Sequence, residues 1–595
     1  MAALLLPLLL LAGSGAASAA PEQQRLPGWV STAGNLSVHV AAGLLNRHEG
    51  RPAAIYATAT WDASQAWLGQ ARRFDPTANR TDYRNVTGGE LLEVAVARGA
   101  AVAAVLYDPA AAQALSTVVT LCGVHRALPV ADEAAAERLG LPVAFDARQR
   151  WATALEATRY AIAHLLGKCS RHALVLQRPA HLATGFLADL AVAGWPGDAG
   201  GLPLLAVWPE DPSDPSIEVP ALCNLTAPEH ELFGELTEGA LALEHGWIGP
   251  GGPGRAMPTV IGYHDTGPGA WAECINLCTP MHRTISLVAN VASNLAFLSR
   301  CRPLSSLPAP HPALDPGRYD PTKSYVAIVN SDGDNVAFDE VRHPGDHSGE
   351  SMDDRVAECS KPGAVCPPVA HTMSNRLLSL APTILQWWYA RATPADSFIM
   401  GPSGYGYVYP ALMEREDQAA FANATVHAAA QLGMAGYVHW DWLGDWGKPL
   451  TVGAGALPFL EAVSIAAASQ AMLFGKGFAA MVATVPDVVK PSHVPPLVGP
   501  GRLAVVKPTS YLLDHLGTWT RYVPAKNVSD ALLALAPGEI TYVYKIWQVS
   551  FAEVEAVGVA LRGSHVQLVD YRALPRLVEE KERWLARGSW SRAVH

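Results

Sequence analysis

Three loops in the second half of the chain carry the residue types that glycoside hydrolysis uses. The apolar run YVAIVN leads into SDGDN, which contains Asp332 and Asp334, and GYVHW leads into DWLGDW, which contains Asp441 and Asp445. Hydrolysis of a glycosidic bond needs two carboxyl groups, one protonated and one ionised. We predict that Asp334 and Asp441 form this pair. Asp332 is then a substrate contact or supporting group, and Asp445 is the alternative to Asp441.

The third loop provides aromatic surfaces. SFIMG leads into GYGYVYP, where Tyr405, Tyr407 and Tyr409 alternate along the chain. In an extended segment these three side chains would share one side. Aromatic faces with polar tips suit a cleft for a hydroxyl-rich ligand, although such a loop can also simply pack on its own domain. We predict that the tyrosines bind substrate together with residues of the two acidic loops, namely Asn335, His439, Trp440 and Trp442.

Other interpretations of the acidic loops remain open. SDGDN also fits a tight turn that caps a helix, or a cation held by carboxylates, although it lacks the EF-hand pattern. A second hypothesis is therefore a metal-dependent carbohydrate deacetylase or esterase, with Asp332, Asp334 and His439 holding the ion. A third is a glycan-binding protein without catalysis. We favour a site with no metal or other cofactor. The sequence lacks a G-x-S-x-G elbow, HExxH, a P-loop and a dinucleotide-binding glycine fingerprint.

The elements that would position these loops alternate between strand and helix. We expect an α/β region over residues 20–257, in two or three subdomains, and a (β/α)8-like or distorted barrel over 258–595. In such a barrel, the residues that follow the C-terminal ends of the strands line the active site. The predicted barrel strands are TVIGYH, ISLVAN, YVAIVN, SFIMG, GYVHW, FAAMVA, ITYVYKIW and HVQLVD, with RLAVV as a ninth candidate.

Composition and the N-terminus indicate an exported globular protein. The chain has 595 residues, half of them hydrophobic, and a net charge of −11, which argues against nucleic acid or an anionic membrane surface as a partner. Residues 1–19 resemble a secretory signal with an A-x-A cleavage site, and no later segment is long and apolar enough to span a bilayer. We expect a secreted protein or one of the endomembrane lumen.

Cysteines and glycosylation motifs fit that compartment. Eight cysteines without paired CxxC knuckles favour disulfides over zinc, and Cys359 and Cys366 are spaced to close a small ring. Six N-x-[ST] sequons predict a glycoprotein, at Asn35, Asn79, Asn85, Asn224, Asn423 and Asn527.

GYGYVYP matches in full the signature of the GxGYxYP putative glycoside hydrolase family. SDGDN also resembles that family's C-terminal domain, and GLLNR, RPAAIYAT and FDARQRW resemble its N-terminal region. The resemblance implies an α/β N-terminal region in several pieces and a C-terminal domain that acts on carbohydrate. It carries no catalytic pair, so the choice of carboxylates rests on loop position and chemistry. The sugar, the linkage, the stereochemical course and the oligomeric state stay open.

Overall fold

The protein is described by a computed structural model. It describes residues 25–32, 34–58, 63–170, 172–177, 179–196, 201–207, 259–262, 285–287, 289, 292–302, 307, 311–331, 333–441, 456–470, 477–482, 503–511, 524–545 and 549–593. Three of the predicted site residues, Asp332, Trp442 and Asp445, lie outside these ranges, as does the predicted signal segment.

The N-terminal region consists of small parallel sheets and the helices that connect their strands. The described strands are β1 (Leu26–Ser31), β2 (Ala54–Tyr56), β3 (Thr81–Val86), β4 (Ala103–Leu106), β5 (Ala127–Val130), β6 (Val143–Asp146), β7 (Ala173–Leu176), β8 (Leu205–Val207), β9 (Thr259–Gly262) and β10 (Ile285–Leu287). They form three sheets, ordered β2-β1-β3, β5-β4-β6 and β10-β9-β7-β8, in which the pairings are parallel.

Helices alternate with these strands, which confirms the α/β character predicted for this region. They are α1 (Leu36–Glu49), α2 (Ser64–Phe74), α3 (Pro76–Asn79), α4 (Gly88–Ala97), α5 (Leu115–His125), α6 (Glu133–Arg138), α7 (Ala154–His164), α8 (Pro179–Ala183), α9 (Ala188–Ala193) and α10 (Leu295–Leu298). Helix α1 shows how the sequence sets a boundary. The Asn35 side chain caps its first turn by accepting from Val38 N, and Gly50 ends it in the left-handed conformation.

The C-terminal region is a distorted parallel barrel. Its strands are β11 (Ser324–Asn330), β12 (Val369–Met373), β13 (Asp396–Met400), β14 (Gly436–His439), β15 (Phe478–Val482), β16 (Leu503–Val506), β17 (Pro508–Tyr511), β18 (Ile540–Lys545) and β19 (Val566–Leu568). Their helices are α11 (Val336–Val341), α12 (Met352–Cys359), α13 (Leu377–Leu380), α14 (Pro382–Arg391), α15 (Arg415–Gln431), α16 (Ala456–Ser469), α17 (Ala525–Leu533), α18 (Phe551–Ala560) and α19 (Leu574–Ala593).

A bent strand closes the barrel. The sheet order is β16-β15-β14-β13-β12-β11-β18-β17, and only Lys507 separates β16 from β17. The first half of this segment pairs with β15 and the second half with β18, so the parallel pairing runs around a ring of seven strands. Strand β19 pairs with the first residues of β11, beside the point where β12 begins to pair with it. This ring confirms the predicted distorted relative of a (β/α)8 barrel.

Side chains alternate between the barrel interior and the surrounding helices. In β11, Tyr325, Ala327 and Val329 belong to the interior cluster, whereas Val326 and Ile328 pack against the helices. This period of two decides which polar residues at the strand ends face the mouth of the barrel and which lie beneath helices.

Two strand assignments made from the sequence are wrong. TVIG and ISL are β9 and β10, which pair with β7 in an N-terminal sheet, so this sheet extends beyond the expected boundary at residue 258. Apolar runs of this length look alike in sequence, and only their pairing partners distinguish them. The sequence analysis also missed β12, VAHTM, because its His and Thr interrupt the apolar pattern.

The predicted ring between Cys359 and Cys366 is confirmed as a disulfide. Cys122, Cys169 and Cys301 are buried free thiols. Among the described residues, no helix is both long and apolar enough to cross a bilayer.

Candidate functional site

The loops after β11 and β12 are joined by hydrogen bonds at the C-terminal end of the barrel. Gly333 N donates to Thr372 Oγ1 at 2.9 Å, and Ser374 N donates to Gly333 O at 2.7 Å. A side chain at Gly333 would collide with the Thr372 carbonyl. The glycine in SDGDN is therefore required for close contact with the neighbouring strand.

The tyrosine-rich loop folds as a compact turn on the same surface. Gly401 N donates to Met373 O at 3.1 Å, and Gly404 N donates to Gly401 O at 2.7 Å. Gly404 has a φ of 111°, and a Cβ on it would collide with Thr425. The extended loop considered from the sequence is therefore not formed, because the turn from Gly401 to Gly404 and the bond from Ser403 N to Gly406 O at 2.8 Å fold it back.

This turn gives the tyrosines different environments. Tyr405 and Tyr407 are half-buried, whereas Tyr409 is buried with 3% of its surface exposed. Val408 is also buried, so the loop does not place valine and tyrosine on opposite sides of an extended strand. Tyr405 and Tyr407 are the two that offer surface to a ligand.

Asp334 lies where these loops meet. It is half-buried. A Cβ built on Gly401 would come within 2.6 Å of the Asp334 Cβ, so only glycine at position 401 allows the two loops to approach this closely. The next residue, Asn335, is buried and caps α11 by accepting from Ala337 N at 3.0 Å. The helix-capping interpretation of SDGDN is thus confirmed for Asn335.

Asp441 is buried and holds the end of the tyrosine loop. Its two carboxylate oxygens lie 3.0 and 3.1 Å from Ala411 N, which donates to them from the 3-10 turn Pro410–Leu412. Its Oδ2 is also 3.2 Å from His439 Nε2. Both side chains are fully buried, so these contacts tie the loop after β14 to the loop after β13.

His439 faces the helices and not the mouth of the barrel. Its ring stacks on Phe459 of α16 at 5.7 Å, and its Nδ1 is 3.2 Å from the hydroxyl of Tyr437. Within the described part of the chain, no three His, Cys, Asp or Glu side chains form a group able to hold a metal ion.

Trp440, in contrast, packs with the barrel-interior cluster. It is half-buried, and its ring centroid lies 6.3 Å from that of Tyr544. Its backbone is fixed by Ser403, whose hydroxyl lies 2.5 Å from Trp440 O and accepts from Trp440 N at 3.2 Å. Trp440 is therefore the aromatic residue that connects the tyrosine loop with the interior.

The sequence analysis missed Arg376, which follows β12. Its guanidinium stacks on the ring of Tyr405 at 4.1 Å and donates to the Tyr405 hydroxyl at 3.1 Å. It also donates to Thr259 Oγ1 of β9 at 3.2 Å and lies 6.0 Å from the ring of Trp195. Arg376 therefore joins the signature loop to the N-terminal region. No local signal marks it, because Thr259 is 117 positions away in the chain.

A second missed residue is Asp339 in α11. It is fully buried, and neither carboxylate oxygen has a hydrogen-bond partner among the described residues. Burial raises the pKa of Asp339 well above its usual value; Arg342 opposes this effect and Asp334 adds to it. Burial and the nearby Asp334 carboxylate therefore both favour the protonated form of Asp339.

Comparisons with known proteins agree with this architecture. The C-terminal domain model of the GxGYxYP putative glycoside hydrolase family matches residues 322–442, and the model of the second domain of the family's N-terminal region matches residues 101–169. No curated protein matches. A crystal structure of a putative hydrolase from Bacteroides thetaiotaomicron superposes with a TM-score of 0.67 at 16% identity, covering 94% of this chain and 95% of that one. At this identity the likeness establishes the fold alone.

Proposed function

Because the chain belongs to the GxGYxYP family, we propose that it hydrolyses a glycosidic bond at the C-terminal end of its barrel. The observation that carries this proposal is the position of Asp334. Asp334 is half-buried, and its Cα and Cβ lie against Gly401, at the base of the loop that presents Tyr405 and Tyr407. Aromatic side chains can bind the face of a sugar, and a carboxyl group beside them can then attack the sugar or protonate its leaving group.

We assign Asp334 the role of a reacting carboxylate. The choice of Asp441 as its partner stays a prediction, but its burial and its bonds to Ala411 N favour a positioning role. Asp332 and Asp445 remain the candidates for the second carboxyl, since they belong to the same two loops in sequence. Trp440 is proposed as a sugar-stacking surface together with Tyr405 and Tyr407.

Substitution of Asp334 tests the assignment. The protein is screened on a panel of fluorogenic glycosides and natural oligosaccharides, and the variants are compared on the glycan that it cleaves. We expect Asp334→Asn to lower kcat by about 10²–10⁴-fold with little change in melting temperature, because the amide keeps the shape of the side chain but can neither transfer the proton nor attack the sugar. Asp82→Asn, at an exposed position of β3 in the N-terminal region, is the control.

The same assay separates the two carboxylates. Asp441→Asn is expected to lower the melting temperature, since it weakens the anchor of the loop, whereas an unchanged melting temperature with lost turnover would restore Asp441 as the partner. Full activity of Asp334→Asn would refute the assignment. Activity lost with chelator and restored by a divalent metal would favour the deacetylase hypothesis.

We also propose that the chain is exported and N-glycosylated. Five of its six sequon asparagines lie in described residues, and all five are exposed: Asn35, Asn79, Asn85, Asn423 and Asn527. Secretion from a eukaryotic host should yield protein that begins near residue 20 and loses mass on treatment with peptide N-glycosidase. Protein that stays in the cells, or that keeps its mass, would contradict the proposal.

A further inference from the structure

Arg376 differs from the other buried arginines of the described chain. Arg355 is 2.8 Å from Asp396, and Arg342 is 3.5 Å from Glu350. Arg376 is only 6% exposed, yet its partners are the neutral groups Tyr405, Thr259 and Trp195, and no carboxylate of the described residues lies within ion-pair distance.

A buried guanidinium without a counter-ion is costly. Removing a charge from water has a penalty of several kcal/mol unless an opposite charge or enough hydrogen bonds replace the lost solvation. Arg376 has five N–H donors, and two of its nitrogens make the bonds to Tyr405 and Thr259. The stacking of Arg376 on Tyr405 offsets part of the penalty but leaves the net positive charge in place.

The residue before Arg376, Asn375, also has an unpaired polar atom among the described residues. Asn375 is 6% exposed, and its Oδ1 is buried without a hydrogen-bond partner among the described residues. Sugar hydroxyls can donate to such an acceptor. In the part of the chain that the structure describes, a cation without an ion-pair partner and an acceptor without a hydrogen-bond donor thus adjoin each other at the end of β12, beside the half-buried rings of Tyr405 and Trp195.

We propose that Asn375 and Arg376, with Tyr405 and Trp195, form a subsite for the acidic group of an anionic glycan. The group is a carboxylate or sulfate on the sugar, because both present paired oxygens that a guanidinium binds through two hydrogen bonds. The proposal rests on the proposed function above and names its class of substrate. Arg376 supplies the opposite charge, and Asn375 accepts from a neighbouring hydroxyl.

The net charge makes this local cation decisive. A chain of net charge −11 repels polyanions at long range, so nonspecific attraction does not explain binding of an acidic glycan. Selectivity must then come from a short-range, desolvated contact. A purely structural Arg376, which only fastens the N-terminal region to the barrel, would give no preference between acidic and neutral sugars.

The test measures binding and turnover with matched oligosaccharides. Isothermal titration on the full chain compares glucuronic-acid oligosaccharides with their carboxyl-reduced forms, and sulfated oligosaccharides with their desulfated forms. The variants are Arg376→Gln, Arg376→Lys and, as a matched loss of an exposed positive charge on the helix layer, Arg562→Gln. Melting temperatures accompany each titration.

We expect the wild type to prefer one acidic member of these pairs by at least about tenfold, and that pair identifies carboxylate or sulfate as the recognised group. Arg376→Gln should abolish the preference while changing the affinity for the neutral form less than about twofold. Arg376→Lys should retain part of the preference because it keeps charge but loses the planar fork. Arg562→Gln should match the wild type.

Two results would overturn the inference. One is equal binding of the acidic and neutral forms by the wild type, a result that does not depend on whether any variant folds. The other is an Arg376→Gln protein that retains the acidic preference. If neutral glycans are cleaved with no acidic preference, the proposed function stands and the subsite fails. If acidic glycans are bound selectively but none is cleaved, the subsite stands and the proposed function fails.

Discussion

Two polar clusters lie beside the same barrel strands, and they differ in whether their charged groups are paired. Beneath the helices, Lys545 Nζ donates to Asn330 Oδ1 at 2.6 Å, and Asp396 Oδ1 lies 3.0 Å from His371 Nε2 and 2.8 Å from Arg355 Nε. At the mouth, Asn375 Oδ1 has no hydrogen-bond partner and Arg376 has no ion-pair partner among the described residues.

Strand alternation separates the two clusters. His371 points to the helix layer, whereas the adjacent Thr372 points to the mouth and binds Gly333. Helices cover this layer, and its charged groups pair within the chain, although Arg355 Nη1 is buried without a hydrogen-bond partner among the described residues. The residues at the mouth can be completed by a bound molecule. The proposed subsite thus contains two such groups, Asn375 and Arg376.

The largest effect should come from breaking the outer cluster. Although burial raises it, His371 and Arg355 hold the pKa of Asp396 well below its usual value. Asp396→Ala should cost about 3–5 kcal/mol, because it leaves Arg355 buried without its counter-ion. Urea unfolding gives the value. A loss below 1 kcal/mol would show that the outer cluster is no better paired than the mouth.

Glu340 of α11 is an intermediate case that sharpens the comparison. It is buried and hydrogen-bonded by Ser293, yet burial raises its pKa to about 8. The folded state therefore holds a proton that the unfolded state releases above its ordinary pKa of about 4.3. Stability should fall as pH rises between those values, by up to about 1.4 kcal/mol per pH unit.

Glu340→Gln keeps the shape of the side chain but removes its titrating carboxyl group, so it should flatten the dependence of stability on pH in that range. Asp189, whose pKa burial raises to about 6, contributes in the same direction over a narrower range. Thermal unfolding between pH 5 and 8 measures both slopes. An equal slope in Glu340→Gln and wild type would assign the dependence to other groups.

Gly404→Ala should give the smallest of these changes in stability, about 2 kcal/mol, because alanine is strained at a positive φ and collides with Thr425. Gly50→Ala is the matched control, since Gly50 also has a positive φ but has open space around its Cα. Denaturant unfolding should rank Gly404→Ala as the more damaging. Equal losses would mean that the loop yields to the added methyl group.

The sequence predicted those structural features that depend on residues close together in the chain. The strand before SDGDN and the disulfide between Cys359 and Cys366 could be predicted because each involves residues close in sequence. The roles of Asp441 and Arg376 could not. Asp441 accepts a hydrogen bond from Ala411 N, 30 positions away. Arg376 donates to Thr259, which lies in a strand that the sequence analysis assigned to the barrel. Such pairings are set by tertiary contacts that no single-sequence period encodes.

The hydrogen bonds that join the loops also bear on the thermodynamics of recognition. Gly333 is tied to Thr372, Gly401 to Met373 and Ser403 to Trp440, so the ends of four successive strands form one preorganised surface. A ligand that binds this surface does not have to order the loops first, and less conformational entropy is lost on association. Affinity should therefore depend on how well a glycan fits a nearly fixed shape.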